Sequence, residues 1–105
     1  MSRRLEFRPA ALDTYRQLRA DPAGELGKRV KEAIERLIEA PGAARGESAR
    51  WDSLAGKVWS LSVTAPDNGV WLILWAERPT DVVEIYYVGP APGQHRSGVA
   101  WTSEG

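Results

Sequence analysis

Lys57, Tyr87, His95 and Arg96 are the side chains of this chain best suited to chemistry. Histidine changes charge near neutral pH, which fits it to passing a proton. A tyrosine hydroxyl can act as an acid, and lysine and arginine stabilise charge on a phosphate. Together the four make a candidate catalytic set for proton transfer at a phosphate ester, with Tyr86 as an alternative to Tyr87. Arg50 and Arg45 are further candidate phosphate-contacting cations. Glu47 and Asp52 lie near them in sequence and could serve as a base. Each also has a plainer use: Glu47 as a loop carboxylate, Arg50 and Lys57 as solvated surface, His95 as an inert residue in a tail. The chain has one histidine and no cysteine. That excludes a disulfide framework and a thiolate metal site, and no metal or cofactor is expected.

These residues must be held by something. A length of 105 residues suits one domain with one core. Residues 3–8 alternate, with Leu5 and Phe7 on one side, as a half-buried strand does. Pro9 then suits the first turn of a helix, and Ala11, Leu12, Tyr15 and Leu18 form one stripe along it. Asp21-Pro22 breaks that helix. Leu26, Val30, Ala33, Ile34, Leu37 and Ile38 then recur at a spacing that only an α-helix gathers on one face. Pro41-Gly42 ends the second helix, and so short a link between the two predicts an antiparallel helical hairpin. The small, polar stretch from Gly42 to Ser48 reads as a mobile loop.

Three strands follow. In the first, Trp59, Leu61 and Val63 alternate with serines. Pro66-Asp67-Asn68-Gly69 is a turn, because Asn-Gly tolerates positive φ. Val70 to Ala76 is apolar throughout, as in a strand covered on both faces. Val82 to Val88 is the last strand, interrupted in character only by Glu84. Neighbours in a strand alternate, so one of Tyr86 and Tyr87 should face the core. Residues 1–90 form the expected domain, and residues 91–105 a Gly/Pro/Ser-rich tail.

Trp59 reads as core. Trp71 and Trp75 share a face with Ile73, and two helices cannot easily cover both faces of a sheet. Trp71 and Trp75 are therefore expected to form a partner-binding patch. Stacking on bases is the other use of exposed aromatics.

Net charge is zero but uneven. Residues 1–57 hold 12 Lys/Arg against 9 Asp/Glu, and residues 58–105 hold 2 against 5. That balance counts against strong nonspecific nucleic-acid binding. No apolar run approaches a membrane span, and the N-terminal residues lack the apolar core of a signal peptide. The expected location is the cytoplasm, with no membrane partner.

Set in order, these elements resemble the RelE/ParE superfamily of bacterial toxins over about residues 3–90. Phe7-Arg8-Pro9-Ala10-Ala11 looks like the family's strand-to-helix opening, and Leu37 with Pro41 like the close of its second helix. Leu54-Ala55-Gly56, followed by residues 58–63, looks like its leucine-glycine turn and second strand. Residues 69–75 look like its third strand, and Tyr87-Val88-Gly89 like the end of its fourth. The resemblance implies an α+β domain with an N-terminal strand, a helical hairpin and a three-stranded antiparallel meander, the helices lying on one face of the sheet.

It also implies a toxin held inactive by a cognate antitoxin peptide wrapped across helices and sheet. RelE-like members cleave messenger RNA in the ribosomal A site without metal. ParE-like members poison DNA gyrase and need no nuclease residues. RelE-like nucleases usually place one arginine on the second strand and another early on the third. Here those stretches carry Ser60 and Ser62, and Val70-Trp71-Leu72, so the candidate set above would have to substitute. A member acting only through protein contacts, and a homodimer using Trp71 and Trp75, are further options.

Overall fold

A computed structural model describes residues 3–53 and 56–91. Strand β1 (Arg4–Phe7) leads into helix α1 (Pro9–Arg19), helix α2 (Glu25–Glu39) and a short helix α3 (Pro41–Gly46). Strands β2 (Ala49–Ser53), β3 (Gly56–Thr64), β4 (Val70–Arg78) and β5 (Val82–Pro90) follow. Arg8 is still extended, and Pro9 opens α1, where its preset φ fits and its missing N–H is no loss. The link to α2 is tightened by an Asx-type bond from the Ala23 N–H to Asp21 Oδ1 at 3.2 Å. Helix α2 buries Val30, Ala33, Ile34 and Leu37 of the stripe its spacing predicts; Leu26 and Ile38 are partly buried against the same core, and Gly27, outside that stripe, is buried as well. Gly27 allows the two helices to close, since a Cβ there would stand 2.7 Å from the Leu18 carbonyl oxygen.

Two elements correct the reading of the sequence. The stretch expected as a loop after Pro41 contains α3. Pro41 starts it, Ala43 and Ala44 favour helix, and Ala44 is buried in the core. Residues 49–53 then form β2, which pairs antiparallel with β3 from Ala49↔Ser60 to Ser53↔Gly56. The meander therefore has four strands. Its first was concealed because Trp51 is its only large apolar residue.

The five strands make one mixed sheet in the order β1-β5-β4-β3-β2. β1 runs parallel to β5, and the other neighbours are antiparallel. Helix α1 packs on β5 and α2 on β3. Beneath them lies one core: Val30, Ile34 and Leu37 of α2 against Leu61, Ile73, Trp75, Val83 and Ile85 of the sheet. This is an α+β domain with its helices on one face. Among the described residues, no helix is long and apolar enough to cross a membrane.

The β4–β5 register contains a bulge. Leu74 opposes Tyr87, but Trp75 opposes Ile85, so Tyr86 is an extra residue with no partner in β4. The strict alternation expected for Tyr86 and Tyr87 fails there. Tyr87 lies opposite Leu74 on the face away from the helices. The ring of Tyr86 meets two arginines belonging to that same face.

Candidate functional site

Leu5 and Phe7 of β1 pack toward the core, so Arg4 and Glu6 point to the helix-free face. Glu84 sits beside Glu6 in the parallel register and opposite Ala76. Two arginines converge on it. Arg8, at the junction of β1 and α1, donates from Nε to Glu84 Oε2 at 2.6 Å. Arg78, at the end of β4, donates from Nε to Glu84 Oε1 at 2.9 Å. Both guanidinium groups also lie over the Tyr86 ring, at 4.6 Å and 5.4 Å from its centre. The Tyr86 hydroxyl oxygen is buried and has no hydrogen-bond partner in the described structure. One carboxylate, two fixed cations and an aromatic platform thus meet on the sheet, with a net charge of one positive unit.

Burial pushes the Glu84 carboxyl up. Hydrogen bonds from Arg78 and Arg8, and then their charges, outweigh that and hold it below its ordinary value of 4.5. A carboxyl lowered by folding stabilises the fold above its unfolded pKa, and that contribution fades as pH falls through the folded value. Glu84→Gln is therefore expected to lower the melting temperature near neutrality and to flatten its decline on the acid side. Thermal melts of both proteins from about pH 7 down to about pH 3 check this. Parallel curves for the two proteins would count against it.

The structure separates the expected catalytic set. Lys57 is exposed, opposite Asp52 in register, and shares the helix-side parity of Trp59, Leu61 and Val63. Tyr87 is on the other face, where its hydroxyl donates to the Pro90 carbonyl oxygen at 2.9 Å. Burial raises its pKa, so it stays neutral at physiological pH. His95 and Arg96 lie outside the described residues, as does the rest of the tail beyond Ala91.

Arg45 is ion-paired with Glu77, whose carboxylate also stands 3.6 Å from Arg3. Arg50 is exposed and opposes Trp59, on the same side as Lys57. Glu47 pairs with Arg36 at 3.6 Å. Trp75 is not a surface group: it is 0% exposed and stacks on Trp59 at 6.1 Å. Its indole N–H donates to Ser48 Oγ at 3.2 Å, and Ser48 in turn donates to the Ala44 carbonyl. Helix α3 and the turn after it complete the cover over the Ile73 face. Trp71 is half-buried against the same core. An expected patch of two tryptophans is thus reduced to part of Trp71.

The Arg8–Glu84–Arg78 cluster had one signal in the sequence, a lone carboxylate in an otherwise apolar last strand. Comparisons with protein-family models, with curated proteins and with solved structures returned no match.

Proposed function

We propose that this protein is the toxin of a bacterial toxin–antitoxin pair of RelE/ParE type, and that it inhibits translation by cleaving messenger RNA on the ribosome without metal. The observation that carries this reading is the helix-free sheet face with its carboxylate between two arginines. Cleavage through the ribose 2′-hydroxyl needs a base and cations near the phosphate, and those residue classes meet there. The order of elements supports the family: a strand, a helical hairpin, then an antiparallel run closing beside the first strand. The cognate antitoxin would cover helices and sheet.

A ParE-like binder of DNA gyrase is the second reading. It is favoured by the zero net charge and by Ser60 and Ser62 standing where RelE-like nucleases place an arginine.

A translation assay on purified ribosomes with a defined message tests the proposal by mapping 5′ ends with and without the protein. Cuts set by the A site are the expected result. An intact message at high protein concentration overturns it and moves the search to gyrase and to partner proteins.

A further inference from the structure

We propose that residues 99–102 of the chain's own tail add to the open edge of β3 as a further strand, seated in the groove between that edge and α2. The proposal goes beyond the reading of the protein as a toxin and does not depend on it.

Strand β2 covers only part of β3. Their pairing ends at Ala49↔Ser60, so residues 61–64 have β4 on one side and no described strand on the other. Two bonds fix which backbone groups face that open side. The Ala65 N–H donates to the Gly69 carbonyl oxygen at 2.8 Å, across the β3–β4 turn. The Thr64 carbonyl belongs to the same planar peptide and therefore points away from β4. There it accepts from Arg29 Nη1 at 2.8 Å. Backbone groups alternate along a strand, so the N–H groups of Ser62 and Thr64 and the Ser62 carbonyl also face the open side. Such a row is a template for one more strand. The Thr64 carbonyl keeps a second lone pair for it.

Beside this edge lies a groove of about 500 Å3 against α2. Ala33 and Val63 give it an apolar lining, and both are buried. Its helical wall carries Glu32, Glu35 and Glu39 against Arg29 and Arg36, an excess of one negative charge. The groove thus suits an extended segment with apolar side chains on one face and a cation nearby.

The tail starts in the right place. The Ala91 N–H donates to the Val70 carbonyl oxygen at 2.8 Å, and Val70 opposes Thr64. The chain therefore leaves the sheet at the end of β3 where the open edge begins. A strand added to that edge lies three strand spacings from β5, about 14 Å. Residues 92–98 extend to about 23 Å, enough to round the turn at residues 66–69. Entering beside Thr64, the segment would run antiparallel to β3 and in line with β2. Val99, Trp101 and Thr102 are the strand-favouring residues of the tail. Val99 and Trp101 are two apart, so both would turn toward the groove. Arg96 is the only Lys or Arg after Ala91, and it would meet the excess carboxylate of the wall. A strand from another molecule would then have to displace a tethered segment whose effective concentration is about millimolar.

The test is residue-resolved amide hydrogen exchange by NMR on the full chain, in the wild type and in a variant carrying Ala100→Pro and Trp101→Pro. Alternate residues of a strand face its partner, so two adjacent prolines remove a pairing N–H in either register. Ile73, in the central strand β4, reports whether the body stays folded. In the wild type the Ser62 and Thr64 N–H groups are expected to exchange about 10-fold or more slowly than unpaired ones. The variant is expected to lose that protection while Ile73 keeps its own.

Wild-type Ser62 and Thr64 that exchange like an unpaired chain overturn the proposal. Protection that survives the two prolines also overturns it, and a rise of that protection with protein concentration would assign the edge to a second copy. Should the variant fail to fold, nuclear Overhauser contacts in the wild type decide alone. Contacts between the Trp101 ring and the Val63 methyl groups support the added strand, and their absence sinks it.

Discussion

Trp75→Ala is expected to lower stability by about 3–5 kcal/mol, the usual cost of emptying a large aromatic site in a core. The indole is 0% exposed, stacks on Trp59 and donates to Ser48, so its removal opens a cavity and leaves a hydroxyl without its donor. Domains of this kind are stable by only about 5–15 kcal/mol, so the variant should be near the edge of folding. Trp71→Ala should cost clearly less, because Trp71 is half-buried at the rim of the same core. Urea titrations of the two variants give the comparison. If Trp75→Ala melts like the wild type and loses only a binding partner, Trp75 is a surface anchor after all.

Gly27→Ala is expected to destabilise by about 1–3 kcal/mol, the scale of overpacking a tight contact. Helix propensity alone argues the other way, since alanine is favoured over glycine in a helix by about 1 kcal/mol. Packing decides the sign. The new Cβ would lie 2.7 Å from the backbone oxygen of Leu18, which cannot swing aside like a side-chain end. Helices α1 and α2 would have to part, loosening the stripe that covers β3. Gly46→Ala is the matched control. A Cβ there meets nothing within 4 Å, so propensity acts unopposed and the variant should match or exceed wild-type stability. Chemical denaturation of both proteins measures the contrast. Equal shifts would mean that the hairpin tolerates the added methyl.

Legibility in the sequence followed how local each signal was. Helix α2 could be read from its own six apolar residues, and the β3–β4 turn from Asn68-Gly69, where Asn68 indeed has φ of 70°. Helix α3 and strand β2 could not be read this way. Each has few apolar residues of its own, and their order comes from burial of Ala44 and from pairing with β3. The bulge at Tyr86 is a property of the strand pair and leaves no mark in either strand alone.

The candidate site was hidden for the same reason. Arg8 and Glu84 are 76 positions apart, and only the parallel pairing of β1 with β5 makes them neighbours. Lys57 and Tyr87 looked like partners by residue type, yet strand parity puts them on opposite faces. Trp75 was misplaced because the sequence does not say which face of an all-apolar strand the helices cover.

The position of β5 has a consequence for the protein's own synthesis. It is the last described strand, yet it lies between β1 and β4, and α1 rests on it. Until β5 emerges from the ribosome, β1 has no partner and α1 has no floor. The β2–β4 hairpins and α2 can assemble early through local contacts, while the long-range closure waits. Arg8 therefore meets Glu84 only when nearly all of the described chain has been made. A nascent or truncated chain lacking β5 would hold none of the assembled cluster, and in the proposed reading a protein that attacks translation would be harmless to the ribosome producing it.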